Sequence, residues 1–163
     1  MSDDPIKDGL MMIPYGFYSI TSRHGDEINA MVANWLTQVS YEPRLLALGL
    51  QKTSHTHALV AESGAFTVNI FNKQDADLIK PYTKSRAKNP EKMSGAKYSP
   101  APVTGCPVLE GAAAYLECKV VARHDAGSGY SIVVGEVVAG EVFKPGDAGD
   151  TLTLPYLGWS YAG

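Results

Sequence analysis

Residues 111–143 of the chain read GAAAYLECKVVARHDAGSGYSIVVGEVVAGEVF. Two runs rich in apolar and β-branched residues, Gly111–His124 and Tyr130–Phe143, flank a turn at Asp125–Gly129. This pattern predicts a long β-hairpin, and the glycines inside it mark places where a strand can bend. Long, bent antiparallel strands are typical of a small β-barrel and not of a parallel α/β sheet.

The N-terminal half contains further strand patterns. An aromatic and β-branched run at Tyr15–Ser22 and an alternating run at Glu27–Trp35 flank the turn His24–Asp26, which predicts a second hairpin. Two shorter runs, Leu45–Gln51 and Ala65–Phe71, predict one strand each. The fold class is therefore expected to be mainly β.

One helix is predicted between the two shorter strands. Thr53 or Ser54 can cap exposed N–H groups at its start, and Gly64 is placed to end it. From Gln74 to about Lys97 the composition is polar and basic, and two prolines interrupt it. We expect this segment to form two short helices, or a helix and a loop, over the surface.

Length and charge limit the class of protein. A chain of 163 residues is long enough for one ordinary core, so residues 1–163 are expected to form a single domain. The chain has 14 Lys and Arg against 17 Asp and Glu, a net charge of -3, and no basic run. Nucleic acid is therefore not an expected partner.

The sequence also predicts a cytoplasmic protein that does not interact with membranes. The N-terminus, MSDDPIKDG, is acidic and lacks the basic start and apolar stretch of a secretory signal. The most apolar stretch, Leu45–Leu50, is far shorter than the roughly 20 residues that a transmembrane helix needs. Cys106 and Cys118 lack the spacing of a zinc site, and we expect two buried or inert thiols.

No familiar catalytic motif is present. The sequence contains neither GxGxxG nor GxxxxGK[ST], and neither HExxH nor GxSxG. His55 and His57 are close in sequence, but at a spacing of two on a helix they point to different faces, so no metal site is expected. We identify no catalytic side chain, and an enzyme of this kind would take its chemistry from a cofactor.

The stretch Asn29–His57 is more polar than a barrel wall and a helix require. Around the predicted helix start, Lys52, Ser54 and Thr56 offer a positive charge and hydroxyl groups next to free backbone N–H groups. A phosphate would fit this environment. The local pattern also fits a simple helix cap with a solvated Lys52, and taken alone it favours that interpretation.

Five segments, taken in order, resemble the flavin reductase-like, FMN-binding split-barrel family, and the flavoredoxin group within it is the most similar in appearance. Together they cover most of the chain, and their combination is more specific than any one of them. The segments are PYGFYSITS (14–22), NAMVANWLTQVSYEP (29–43), QKTSHTHALVAESGAFTVNI (51–70), PVLEGAAAYLEC (107–118) and IVVGEV (132–137).

This resemblance implies a six-stranded antiparallel split β-barrel with a few short α-helices. It also implies a homodimer with one FMN in a cleft near each side of the interface. The phosphate is expected at the helix start and the ring along the strand edge that carries Trp35. The residues expected to bind the cofactor are Asn29, Ala33, Asn34, Trp35, Leu36, Thr37, Gln51, Lys52, Ser54, Thr56, His57, Lys92 and Tyr130.

Two of these residues also have ordinary structural explanations. A Trp on a strand is commonly a core or interface residue, so Trp35 fits both a ligand contact and packing. Lys92 lies in NPEKMSG, which by itself is typical of a solvated loop, and only the resemblance assigns it to the flavin.

The chain departs from the family pattern before its last long strand. Many reductases of the family carry GDH there, with the His next to the nicotinamide, whereas this chain has Ser128-Gly129-Tyr130. Three hypotheses follow for its function. The protein is an FMN-dependent oxidoreductase that uses NAD(P)H, a flavoredoxin-like FMN electron carrier fed by a redox protein partner, or a split-barrel ligand-binding module without catalysis.

Overall fold

The computed structural model describes residues 2–160. Within this range the chain forms two α-helices, nine β-strands and three short 3-10 helices. The α-helices are α1 (Pro5–Met11) and α2 (His55–Ser63), and the 3-10 helices are Lys73–Leu78, Lys80–Tyr82 and Pro155–Leu157. The strands are β1 (Tyr18–His24), β2 (Glu27–Ala33), β3 (Leu36–Ser40), β4 (Leu45–Gln51), β5 (Ala65–Ile70), β6 (Tyr98–Pro100), β7 (Pro107–Leu109), β8 (Ala114–Asp125) and β9 (Tyr130–Val142).

Seven strands form one antiparallel sheet in the order β2-β1-β5-β8-β9-β4-β3, and β6 and β7 pair separately. The predicted long hairpin is confirmed as β8–β9, and it lies at the centre of the large sheet because β8 also pairs with β5 and β9 with β4. Its register shifts twice, between Glu117 and Cys118 and between Val120 and Ala122. Irregularities of this kind increase the local twist, so they help the hairpin to bend.

The large sheet curls until its two edges approach each other. The edge strands β2 and β3 are separated in the chain only by Asn34 and Trp35, so the Cα atoms of Ala33 and Leu36 lie at most about 11 Å apart. Ala33 from one edge and Leu48 from β4, near the other edge, belong to the same buried cluster. Among the described residues β2 and β3 share no ladder of hydrogen bonds, which leaves a seam between them.

The expected six-stranded barrel is therefore wrong in strand number and in closure. The additional strand is β3, in which Thr37, Gln38 and Val39 are all exposed. An exposed edge strand lacks the alternation of buried and exposed residues that marks a strand in a sequence. The mainly β class, with few and short helices, is confirmed.

Helix α2 has the predicted ends. The Ser54 side chain accepts a hydrogen bond from the His57 N–H at 3.1 Å. At the other end Gly64 adopts a left-handed conformation, with φ of 69°, and its N–H donates to the Val60 carbonyl. A residue with a Cβ adopts this conformation only at a cost, which explains why the helix stops at a glycine.

The short helices predicted within residues 74–97 are 3-10 helices. The segment forms two 3-10 turns and then a series of simple turns, and Asp75 has non-helical backbone angles. We call residues 79–93 the strap. Its ends are not on the surface, because Ile79, Tyr82 and Met93 are buried in a cluster with Phe17.

Two further expectations concern the thiols and the membrane. Cys106 and Cys118 are free and fully buried, as predicted. Burial raises the pKa of both thiols, that of Cys118 to about 12, so neither forms a reactive thiolate near neutral pH. In the part of the chain that the structure describes, no helix has the length and apolar character needed to cross a membrane.

Gly135 provides a test of the packing inside the curled sheet. A Cβ on this residue would lie 2.8 Å from the Phe66 ring and 2.9 Å from the Cys118 Cβ. We expect Gly135→Ala to lower the free energy of unfolding by about 1–3 kcal/mol, because overpacking forces neighbouring groups apart. Urea unfolding measures this, and Gly95→Ala is the control because a Cβ there meets nothing within 4 Å. Equal effects of the two substitutions would contradict the packing argument.

Candidate cofactor site

A cleft of about 660 Å³ opens at the seam of the curled sheet. Its walls are the seam residues 32–35, the start of α2, the strap, and Tyr130 at the first position of β9. Its volume falls within the range of small-molecule sites, roughly 300–1,000 Å³. Elements distant in the sequence therefore meet around one space large enough for a cofactor.

Most of the sequence-predicted site residues lie in this cleft. Nine of the thirteen line it, and they come from β2, the seam, the end of β4, the start of α2, the strap and β9. These nine are Asn29, Ala33, Asn34, Trp35, Gln51, Lys52, Ser54, Lys92 and Tyr130.

The remaining four predicted residues lie outside the cleft lining. Thr56 is fully buried, and its hydroxyl accepts a hydrogen bond from Asn29 Nδ2 at 2.9 Å. His57, in the first turn of α2, is not part of the cleft lining, and its Nε2 lies 3.1 Å from the hydroxyl oxygen of Ser131 on β9. Leu36 packs against the buried core, and Thr37 is exposed on the edge strand β3.

The cleft lining is strongly basic. It includes Lys52, Lys84, Arg86 and Lys92, and no carboxylate from the described chain. Helix α2 adds the positive end of its dipole, since the first N–H groups of a helix have no partner within it. An anionic ligand group is the complement of such a surface.

Lys92 carries the clearest electrostatic signature. Its side chain is 7% exposed, and its Nζ donates to the Lys84 carbonyl at 2.9 Å. Burial, with a smaller contribution from nearby Arg86, lowers the pKa of Lys92 to about 8. A buried ammonium group that has a positive neighbour and no carboxylate is destabilised, and a bound anion would reverse that effect.

Lys52 is positioned differently. Its Nζ lies 2.5 Å from Asp125 Oδ2, and its backbone N–H donates to the Gly129 carbonyl at 2.9 Å. It lines the cleft while holding the turn between β8 and β9 against the start of α2. Its charge is therefore already shared with Asp125 and is less available to a ligand than that of Lys92.

Two aromatic rings, those of Trp35 and Tyr130, also line the cleft. The rings of Trp35 and Tyr130 meet edge to face, with centroids 5.1 Å apart and an interplanar angle of 73°. Trp35 in turn packs closely over Gly49, where an added Cβ would lie 3.3 Å from the Trp35 Cβ. The Tyr130 side chain is 39% exposed, so this pair presents an aromatic surface to the cleft and to solvent.

Asn34 provides an unsatisfied donor next to these rings. Its Nδ2 is buried and has no hydrogen-bond partner among residues 2–160, although the residue lines the cleft. Buried polar groups in folded proteins are nearly always paired. A ligand atom that accepts a hydrogen bond would satisfy Asn34.

A polar network connects three walls of the cleft. Arg86 Nη1 on the strap donates to Asn29 Oδ1 on β2 at 3.1 Å, and Asn29 Nδ2 donates to Thr56 on α2. Asn29 is 2% exposed. The sequence points to Asn29 and Thr56 as site residues but not to Arg86, because the partners of Arg86 on β2 lie almost 60 positions earlier and no local pattern marks it.

The fold and this cleft together are typical of cofactor-binding proteins built on a curled antiparallel sheet. Residues 10–160 match the family described as the flavin reductase like domain. The chain therefore belongs to the flavin reductase-like family. The resemblance drawn from the sequence is confirmed, and family membership supports a flavin-dependent oxidoreductase.

Individual relatives agree with this assignment. The chain is 34% identical over 139 residues to the ferric-chelate reductase (NAD(P)H) of Archaeoglobus fulgidus. This alignment covers 84% of this chain and 81% of that protein. It is 33% identical over 130 residues to the putative diflavin flavoprotein A 3 of Nostoc sp., covering 79% of this chain. The structure of flavin reductase HpaC complexed with NADP+ matches with a TM-score of 0.73 and 26% identity, over 88% of each chain.

The diflavin flavoproteins are much longer than this chain. It spans 22% of the length of that Nostoc protein, and 24% and 25% of two other diflavin flavoproteins. The same domain thus occurs within much longer proteins.

Proposed function

We propose that the protein is an FMN-dependent oxidoreductase that binds its flavin in the seam cleft and works as a homodimer. The observation that carries the proposal is the composition of the cleft. Four basic residues, and no carboxylate among the described lining residues, lie beside an apolar, aromatic seam. FMN combines a phosphate with a flat, largely apolar ring that has polar edges. The basic residues of the lining match the phosphate, and its apolar and aromatic residues match the ring.

The residues present fit this cofactor. Lys92, Ser54 and the free N–H groups at the start of α2 would hold the phosphate, with Lys52 contributing less because of its pairing with Asp125. The seam residues 32–35 would lie along the ring. Asn34 Nδ2 would donate to an acceptor on the ring edge, which would satisfy an otherwise unpaired buried group.

Thr56 and His57 would support the site without contacting the phosphate. Thr56 holds Asn29 in place, and His57 anchors the helix start to Ser131 on β9. Burial lowers the pKa of His57, and the charges of Arg123 and Lys52 lower it further, so this imidazole is neutral at pH 7.

Bound FMN would supply the electron-transfer chemistry, accepting a hydride or single electrons and passing them on. NAD(P)H is the proposed donor, in line with the name of the Archaeoglobus relative. The second candidate is an electron carrier fed by a redox protein, and it is favoured by Tyr130, which reaches into the cleft beside Trp35. A ligand-binding module without flavin is the third alternative, and a colourless protein that fails to bind FMN would favour it.

Apolar side chains exposed on the outside of the curled sheet support the proposed homodimer. Val121, Ile132 and Val138 on β8 and β9, with Val39 and Tyr41 at the β3 edge, are all more than a third exposed. A second copy would cover such a surface and help to enclose the ring. Sedimentation velocity should show a dimer, and a monomer that retains one FMN per chain would contradict this part of the proposal.

The phosphate end of the site can be tested through Lys92. We expect Lys92→Met to weaken FMN about tenfold to a hundredfold at pH 7, because it removes a charge-assisted hydrogen bond, and to leave riboflavin binding nearly unchanged. A bound phosphate favours the charged form of Lys92, whose pKa is about 8 in the free protein. FMN affinity should therefore be retained below pH 8 and should fall as the pH rises above it. Titrations of both ligands between pH 7 and 9.5 measure this.

Lys88→Met is the matched control for this experiment, since Lys88 is an exposed lysine of the same strap. Without ligand, Lys92→Met should also stabilise the protein at pH 7, because a pKa lowered from 10.5 to about 8 disfavours the folded state below pH 8. That advantage should shrink as the pH rises from 8 towards 10.5. Equal losses of FMN and riboflavin affinity in Lys92→Met would place the phosphate elsewhere.

The electron donor can be tested through Tyr130. Hydride transfer requires the nicotinamide of the donor to lie within roughly 3–3.5 Å of the accepting flavin atom. The phenol of Tyr130, packed beside Trp35, leaves less space in the cleft for a nicotinamide. If Tyr130 makes the protein an electron carrier, NADH and NADPH should reduce the FMN-loaded protein slowly, and Tyr130→His should accelerate this reduction severalfold; fast reduction of the unmodified protein supports NAD(P)H as the donor. Anaerobic stopped-flow absorbance follows the reaction.

Two controls separate an effect on the access of NADH and NADPH to the flavin from general damage to the protein. Tyr130→Phe keeps the ring size and should remain slow, and reduction by dithionite should be nearly the same in all three proteins. Rapid turnover of NADH or NADPH by the unmodified protein would exclude the electron-carrier alternative.

A further inference from the structure

We propose that Arg86 is a positioning residue that latches the strap over the cleft and thereby sets how long a flavin stays bound. This inference rests on the proposed function, because it concerns the same cleft. Arg86 does not need to contact the ligand for this role. It acts through three acceptors on β2.

The guanidinium group bridges two elements. On the β2 side, Nη1 donates to the Ile28 carbonyl at 3.0 Å and to Asn29 Oδ1 at 3.1 Å, and Nη2 lies 3.2 Å from Glu27 Oε1. On the strap side, Nε donates to the Pro90 carbonyl at 3.0 Å. Four hydrogen bonds from one rigid, planar group fix both the position and the orientation of the strap relative to β2.

The rest of the strap has no equivalent attachment. Ile79, Tyr82 and Met93 anchor its two ends in an apolar cluster, while most residues between 83 and 91 are exposed. Throughout the described chain, each hydrogen bond that joins residues 79–93 to a strand or to α2 comes from Arg86. The middle of the strap therefore depends on this one side chain for its polar contacts to the sheet.

The middle of the strap is also one wall of the cleft. Residues 82–87 and Lys92 line it, opposite the seam and the start of α2. Lys92 is held within the strap by its bond to the Lys84 carbonyl, so movement of the strap would carry this ammonium group away from the cleft. If Arg86 lost its hydrogen bonds to β2, the cleft would lose both the wall formed by the strap and the ammonium group of Lys92.

The attachment extends beyond β2. The Asn29 side chain that accepts from Arg86 also donates to Thr56 at the start of α2. Asn29 and Thr56 are 2% and 0% exposed, so this connection is shielded from water and held in one geometry. Arg86 thus aligns the strap with the helix start that is proposed to hold the phosphate.

The experiment compares Arg86→Ala with Lys88→Ala, which removes one positive charge from an exposed part of the same strap. Amide hydrogen exchange of residues 83–91 is measured first in the flavin-free proteins. We expect faster exchange in Arg86→Ala than in the unmodified protein, and no change in Lys88→Ala. This readout requires no flavin.

Dissociation of FMN is measured next, by dilution into an excess of a flavin-binding trap protein. The off-rate should rise about tenfold to a hundredfold in Arg86→Ala, because several charge-assisted hydrogen bonds are lost, and should be unchanged in Lys88→Ala. Millimolar methylguanidinium should slow release from Arg86→Ala only. Arg86→Lys keeps the charge without the planar fork and should release FMN faster than the unmodified protein; this variant replaces Arg86→Ala if the alanine protein does not fold.

The outcomes separate the two proposals. If the unmodified protein binds FMN and the Arg86 variants show the same exchange and the same off-rate, the latch is overturned and the proposed function stands. If the unmodified protein does not bind FMN, the proposed function fails, and the exchange measurement still decides whether Arg86 holds the strap.

Discussion

The antiparallel pairing of β8 with β9 is the interaction on which the remaining structure depends. This hairpin joins two groups of strands, because β8 continues into β5 and β9 into β4. Its two register shifts bend the centre of the sheet, and the bend brings β2 and β3 towards each other. The seam and its cleft follow from this curvature, since a flat sheet of the same strands would hold its two edges far apart.

The cleft has an electrostatic cost that the fold alone does not offset. Lys92 is buried near Arg86, no carboxylate of the described chain lines the cleft, and Asn34 Nδ2 has no partner. Unpaired buried groups of this kind destabilise a folded protein, and they recur where a ligand completes the pairing. Arg86 is engaged by β2 and the Pro90 carbonyl, and Lys52 is paired with Asp125, which leaves Lys92 as the buried cation most available to a ligand.

The sequence placed many of its candidate site residues around one cleft and predicted the fold class, but it missed details of the sheet. Nine of the thirteen residues line the cleft. Seven of these nine lie in the segments whose combination is specific to the family, whereas Lys92 and Tyr130 lie outside those segments. Thr56 was assigned to the ligand because a hydroxyl at a helix start looks available in the sequence, yet the same hydroxyl is buried against Asn29. The edge strand β3 was missed because exposed, polar strands have no periodic pattern of burial.

By itself, the sequence determined the strands with apolar or alternating patterns, the two ends of α2, the inert thiols and the family, because each depends on neighbouring residues or on ordered motifs. Only the tertiary structure decided that the sheet has seven strands and an open seam, and that Tyr130 meets Trp35. It alone connected Arg86 to Asn29 across 57 positions. Such contacts depend on how the sheet curls, and curvature is a property of many strands together that no local pattern encodes.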